Sequence, residues 1–261
     1  MDAIILAAGR GSRMKEAIPK VLVDVEGEPM LKRIVNSVQH KVITKKIVVV
    51  GSNYQMIQNV LKSTVQYAYQ MVPLGTLDAF LQGTNQISSS EVIVLPGDIP
   101  CINRDVIDDI INYYYQNHCR NLVIGMRVTN PVNYGRMVRN ELGKTKIVEE
   151  KNATIDELNN FVINTGIYIL KIDDVYPYLP VSKKDEVTGE YYITDYINYL
   201  GERNLLSTLI YPETYILKGA NDMETLRNIL KQKNKNWTLF RIWNRLQKYY
   251  LNCSQIWFNI V

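Results

Sequence analysis

Residues 3–21 read AIILAAGRGSRMKEAIPKV. The apolar run at 3–6 reads as a buried strand. It feeds a loop of small residues, Ala7-Ala8-Gly9-Arg10-Gly11-Ser12-Arg13, and Pro19 and Lys20 follow. Small residues let backbone N–H groups approach a phosphate chain closely. Arg13 and Lys20 add fixed positive charge beside them. Together these features suit a nucleoside triphosphate, on whose phosphoryl oxygens charge builds up during reaction. Two familiar phosphate loops are excluded. A dinucleotide fingerprint needs a third glycine where Met14 stands, and a P-loop needs a lysine directly after Gly11. An ordinary glycine-rich turn between strand and helix is the plainer reading; the register of Arg13 and Lys20 weighs against it.

At 261 residues the chain accommodates one large α/β domain or two small ones, and 46% hydrophobic content is enough for a sizeable core. The first apolar stretch is too short for a secretory signal, and no apolar run approaches the length of a membrane span. Cys101, Cys119 and Cys253 are odd in number and widely spaced, so neither a disulfide framework nor a zinc site is expected. A reducing, cytoplasmic location fits that usage. The net charge of +4 is local in origin. Residues 231–261 carry six basic side chains and no acidic one, which leaves the remainder at −2. No nucleic-acid partner is therefore expected.

Strand-like runs at 47–50, 92–95, 122–126 and 162–170 alternate with helical stretches at 54–62, 75–87 and 106–115, the last with Asp105 near its start. Such alternation predicts an α/β layered domain with a largely parallel sheet. Ligands in these folds bind at the carboxyl ends of the strands, where the first loop and the segment after Leu95 meet. Residues 180–189 are polar and loop-like. No repeat is visible, and in particular none of the hexapeptide type that builds a β-helix. Leu95-Pro96-Gly97-Asp98 ends a strand with a carboxylate that could hold Mg²⁺ or simply cap a turn. Asn221-Asp222 reads by itself as a helix N-cap.

The pattern Leu6-Ala7-Ala8-Gly9-x-Gly11-Ser12-Arg13-Met14…Pro19-Lys20 resembles the sugar-1-phosphate nucleotidyltransferases. Over residues 2–228 the chain is most similar to the uridyltransferase half of the bacterial bifunctional N-acetylglucosamine-1-phosphate uridyltransferases. The resemblance implies a Rossmann-like three-layer α/β domain with a mixed, mostly parallel central sheet over 1–228. A basic, aromatic-rich helical segment over 229–261 would follow it. The acetyltransferase β-helix half has no counterpart, so any acetylation is expected from another protein.

Site roles follow from the same resemblance. Leu6, Ala7, Ala8 and Gly9 would line the nucleotide, with Arg13 on the leaving pyrophosphate and Lys20 on the α-phosphate. Gly97 and Asp98 match the metal-binding position, and Asn221, in Gly219-Ala220-Asn221, would be the second Mg²⁺ ligand. Gln70, Gly75 and Thr76 match Q-x-x-x-L-G-T, which faces the pyrimidine base. Pro73 and Leu77-Asp78 depart there from the relatives' common residues. Gly135 of Tyr134-Gly135-Arg136, Glu149 of the I-V-E-x-K motif and Asn164 of I-N-T-G would contact the sugar. So would Tyr192 and Thr194 of E-Y-Y-I-T-D. Each motif is weak alone, but six occur in the correct chain order.

The implied reaction is UTP plus N-acetylglucosamine-1-phosphate giving UDP-N-acetylglucosamine and pyrophosphate. Positioning and charge neutralisation would carry it, with no histidine involved. The alternatives are another sugar-1-phosphate, dTTP as donor, or a catalytically silent nucleotide-sugar-binding regulator. Residues 231–261 hold all three tryptophans. Leu239, Ile242, Trp243, Leu246 and Tyr250 fall at helical spacing there. That stripe reads as a helix packed on its own domain, as a homo-oligomer contact, or as a basic membrane-surface helix.

Overall fold

The computed structural model describes residues 1–9, 18–186 and 188–234. Its centre is β1 (Asp2–Ala7), flanked on both sides by parallel partners, β4 (Lys46–Val50) and β6 (Glu91–Pro96). These strands are apolar at nearly every position because both faces of a parallel sheet are covered. Beyond β4 lies β5 (Gln66–Tyr69), again parallel. On the other side β10 (Val162–Lys171) runs antiparallel to β6 and to β7 (Asn121–Arg127). The edge strand β11 (Leu206–Tyr211) pairs parallel with β7. The order is β11-β7-β10-β6-β1-β4-β5. A hairpin of β8 (Arg136–Arg139) and β9 (Thr145–Val148) joins the sheet through Ile163. The small ribbon of β2 (Asp24–Val25) and β3 (Glu28–Pro29) stands apart.

Alternate residues of each strand enter two separate cores. Ala3, Ile5, Val48, Val50, Ile93 and Leu95 pack with α1 (Met30–Ser37), α2 (Tyr54–Leu61) and α4 (Arg104–Gln116). Ile4, Ile47, Val49, Val92 and Val94 pack on the opposite face with α3 (Thr76–Thr84) and α6 (Ile193–Glu202). A single-turn α5 (Ile155–Leu158) sits outside these layers, closed by a Thr154/Glu157 capping box. The result is the expected three-layer α/β domain with a mixed, mostly parallel sheet.

Several boundaries differ from those the periodicity implied. α2 stops at Leu61 because Lys62 turns to φ +51°. α4 starts two residues earlier than expected, since Asn103, not Asp105, accepts the Val106 N–H at 3.0 Å. The last helix among the described residues, α7, covers residues 223–234 and buries Leu226 and Ile229 in the first core. The domain boundary expected at 228 thus falls inside a continuous helix. The aromatic stripe from Leu239 onward lies outside the described residues.

Polar groups at strand ends are tied down. Asp174, after β10, accepts from Arg120 Nε at 2.8 Å and Nη2 at 2.5 Å, and from Asn121 Nδ2 at 2.8 Å. Asp2 is fully buried and accepts the Ser88 and Ser89 backbone N–H groups at 2.7 and 3.1 Å. No helix among the described residues is long and apolar enough to cross a membrane.

Candidate active site

The site is built on the carboxyl ends of β1, β4 and β6. Gly97 N–H donates to the Leu6 carbonyl at 2.9 Å, and a Cβ on Gly97 would lie 2.8 Å from that oxygen. A Cβ on Gly51, after β4, would lie 2.8 Å from the Ala8 carbonyl. The two glycines let neighbouring strand ends close around Leu6, Ala7 and Ala8, leaving Gly9 exposed. Arg13, with the glycine-rich turn around it, lies outside the described residues.

Pro19 (φ −54°) starts a short 3-10 turn, Lys20–Leu22, whose first side chain points back to the end of β6. Lys20 Nζ donates to Asp98 Oδ2 at 2.6 Å. The loop 219–222 closes over the same aspartate. Ala220 N–H donates to the Asp98 carbonyl at 2.8 Å, and a Cβ on Gly219 would stand 3.5 Å from Asp98 Oδ1. Asp222 caps α7 by accepting the Thr225 N–H at 2.7 Å. That bond, with the nearby Lys20 charge, holds its carboxyl below the usual aspartate range. Asp222 rather than Asn221 therefore does the capping, and Asn221 is held between the cap and the residue fixed to Asp98. Asp98 and Asn221 are hard oxygen donors beside a cradle that a side chain at 219 would narrow, a donor set that suits Mg²⁺ with substrate phosphates completing the shell. No group of three or more His, Cys, Asp or Glu residues suited to a metal occurs among the described residues.

Tyr134 links this end to the second half of the chain. Its hydroxyl donates to the Gly219 carbonyl at 3.2 Å, and burial, with Asp98 close by, pushes it up to about 12. Arg136, only 2% exposed, donates to the Tyr134 carbonyl and pairs with Glu150 at 3.2 Å. Glu150 also accepts the Asn133 N–H at 2.9 and 3.0 Å. The outer members of the Tyr134-Gly135-Arg136 motif are therefore structural anchors, a role the motif alone did not reveal.

Gly135 sits against Glu149; a Cβ there would lie 3.6 Å from Glu149 Oε2. Glu149 Oε1 accepts from Thr194 Oγ1 at 2.9 Å. Asn164, whose N–H donates to the Gly135 carbonyl at 2.9 Å, spends its side chain inside β10. Its Oδ1 accepts the Gly166 N–H at 3.1 Å and its Nδ2 donates to the Tyr168 hydroxyl at 2.8 Å, where the strand register shifts. Tyr192 bonds Thr188 at 2.9 Å and accepts from Lys151 at 3.4 Å, and Lys151 pairs with Asp185 at 2.9 Å. Glu149, Gly135, Asn164 and Thr194 thus come together, with Tyr192 on the adjoining loop. Asp185 carried no signal in the sequence.

Gln70 and the Gly75-Thr76 pair meet the same segment from the other side. Leu77 N–H donates to the Tyr191 carbonyl at 2.9 Å and Tyr191 N–H to the Leu74 carbonyl at 2.7 Å. Ile193 N–H donates to Thr76 Oγ1 at 3.0 Å. Gly75 has φ +110°, and a Cβ there would fall 2.3 Å from the Tyr191 carbonyl oxygen. The room left by this glycine is thus taken by backbone. Gln70 is buried, and its Nε2 donates to the Gly75 carbonyl at 2.9 Å and to Asp78 Oδ2 at 2.7 Å.

Residues 3–159 match the family model described as a MobA-like NTP transferase domain. The chain belongs to this nucleotidyltransferase family. Among curated proteins it is 37% identical over 246 residues to the "Bifunctional protein GlmU" of Acetivibrio thermocellus, covering 90% of this chain and 53% of that protein. It is 34% identical over 233 residues to the protein of the same name from Carboxydothermus hydrogenoformans, covering 88% and 52%. The chain spans about half the length of these relatives. Among solved structures, a UDP-glucose pyrophosphorylase complexed with UDP-glucose superposes with a TM-score of 0.68 at 20% identity, covering 91% of this chain and 98% of that one. The inositol-1-phosphate CTP transferase from T. maritima gives 0.68 at 16% identity, covering 88% and 95%. At these identities the structures bear on the fold alone, which is that of the nucleotide-diphospho-sugar transferases.

Proposed function

We propose that this domain transfers the uridylyl group of UTP to N-acetylglucosamine-1-phosphate, releasing pyrophosphate. The observation that carries the reading is the Lys20–Asp98 pair under the 219–222 loop, joined through Tyr134 to the Glu149–Thr194 contact. The first group suits phosphates and the second suits hydroxyls. Similarity to half of each GlmU protein supports the choice of substrates. The incoming sugar phosphate is already anionic at neutral pH, so no general base is needed and alignment does most of the work. Lys20 neutralises the α-phosphate, and Arg13 holds the departing pyrophosphate. Glu149 and Asn164 orient the sugar, with Tyr192 and Thr194 closing beside them. Asp98 and Asn221 would hold Mg²⁺, which when bound supplies positive charge to phosphate oxygens.

The free thiols of Cys101 and Cys119 suit a reducing cytoplasm. Self-association through the C-terminal segment, residues 229–261, belongs to the same proposal. Light scattering of the full chain against a version ending at residue 230 tests it. The enzymatic reading is tested by pyrophosphate release with Mg²⁺ across UTP, dTTP, CTP, GTP and ATP, each against N-acetylglucosamine-, glucose-, glucosamine- and galactose-1-phosphate. A dominant signal for UTP with N-acetylglucosamine-1-phosphate is expected. Release with a different pair would overturn the substrates and keep the chemistry. Binding of UTP without release in any pair would favour a silent regulator.

A further inference from the structure

Base choice in the proposed uridylyl transfer, on which this inference rests, depends on which hydrogen-bonding atom meets the pyrimidine edge. The Gln70 amide is not free to choose. Its Nε2 lies between two acceptors, the Gly75 carbonyl at 2.9 Å and Asp78 Oδ2 at 2.7 Å. An amide oxygen in that place would face two acceptors with no proton to share, so the nitrogen must occupy it. Gly75 is itself fixed, since its carbonyl also accepts the Ala79 N–H of the first turn of α3 at 3.1 Å. Asp78, in the first turn of α3, is steadied in turn by Gln82 Nε2 at 3.3 Å on its other oxygen. A charged acceptor holds an N–H more firmly than a neutral carbonyl does, so Asp78 is the stronger of the two constraints.

We propose that Asp78 is a positioning residue for base selection. By holding the Gln70 nitrogen it leaves the Gln70 carbonyl oxygen as the atom offered to the base, and so favours a pyrimidine that carries an N3–H. Uracil has that proton. Cytosine presents a lone pair at N3, which would face the lone pairs of the carbonyl oxygen with no proton between them. Selection therefore has a repulsive side as well as an attractive one. Thymine shares the uracil edge, so the device rejects cytosine without separating uracil from thymine.

The test compares kcat and KM for UTP and CTP in wild type and Asp78→Asn, with N-acetylglucosamine-1-phosphate and Mg²⁺, after thermal melting confirms that both are folded. Asparagine keeps the shape, removes the charge and can turn its own N–H toward Gln70, which frees the amide to rotate. The ratio of kcat/KM for UTP over CTP should fall about tenfold or more. The loss should lie mainly in KM for UTP, accompanied by a gain for CTP. A role in stability alone would lower both nucleotides together. A folded variant with the wild-type ratio overturns the proposal, as does a wild type that uses CTP as well as UTP; in both cases the transferase reading survives. If Asp78→Asn does not fold, Asp78→Ser is measured in the same way. A wild type that transfers from no nucleoside triphosphate brings down the underlying reading, and this inference with it.

Discussion

Lys20 Nζ lies 2.6 Å from Asp98 Oδ2, joining the turn after the glycine-rich loop to the end of β6 across 78 residues of sequence. The pair unites the two parts of the chain that the strand pattern alone sends to one edge of the sheet. Both side chains are partly accessible, at 15% and 27%. Under the proposed function, Lys20 would turn to a phosphate and Asp98 would hold Mg²⁺. Asp98→Asn keeps the size and removes the charge. Turnover should drop by about two to three orders of magnitude with the fold intact. Pyrophosphate release and a thermal melt check the two halves of that statement, and near-normal turnover in a folded variant would remove Asp98 from the chemistry.

Gly75→Ala puts a Cβ 2.3 Å from the Tyr191 carbonyl oxygen, in a backbone conformation that L-residues avoid. The backbone strain alone costs about 1–3 kcal/mol. Moving Tyr191 also disturbs Tyr192 and the start of α6, where Thr194 stands. A melting temperature roughly 5 °C lower or more is expected by calorimetry, and a raised KM for the sugar phosphate should accompany it. A variant with unchanged melting and KM would contradict the tie between the two segments.

Tyr134→Phe removes the hydroxyl that donates to the Gly219 carbonyl at 3.2 Å. The expected loss of stability is about 1 kcal/mol, measured by denaturant unfolding. Because Gly219 adjoins Asn221, the Mg²⁺ concentration for half-maximal rate should rise in the same variant. An unchanged Mg²⁺ requirement would separate the 219–222 loop from metal binding.

Arg120 holds the Asp174 carboxyl below the usual aspartate range; Asn121 adds to this and burial opposes it. The folded chain thus binds that proton less tightly than the unfolded chain. The resulting stability is present at neutral pH and is lost as pH falls from about 4 through the lower folded-state value. Asp174→Asn should be less stable at pH 7. Its stability should also decline less steeply than that of wild type between about pH 4 and 2. Urea unfolding at a series of pH values measures both. Parallel curves for the two proteins would remove Asp174 from the acid response.

Much of the fold was legible because parallel strands buried on both faces must be apolar throughout, as Ile47-Val48-Val49-Val50 is. The direction of β10 was not legible. Its run is equally apolar in either sense, and only pairing with β6 and β7 makes it antiparallel. The grouping of Glu149, Thr194 and Gly135 was readable as ordered motifs. What those motifs withheld was partnership. Gln70 reads as a base contact, yet its nitrogen is committed to Asp78 and Gly75. Asn164 reads as a sugar contact, yet much of its side chain secures the β10 register shift. Arg136 reads as one letter of a motif, yet it is a buried cation paired to Glu150. Contacts between residues far apart in the chain leave no local periodicity, so only the folded molecule reveals them.

The most direct measurement follows UTP and N-acetylglucosamine-1-phosphate by ³¹P NMR with Mg²⁺, using wild-type protein and Asp98→Asn side by side. Pyrophosphate and a sugar-linked diphosphate appearing in equal amounts with wild type, and only trace product with the variant, is the expected result. Unchanged UTP and sugar phosphate with wild type, or equal product from both proteins, would contradict uridylyl transfer at the Lys20–Asp98 site.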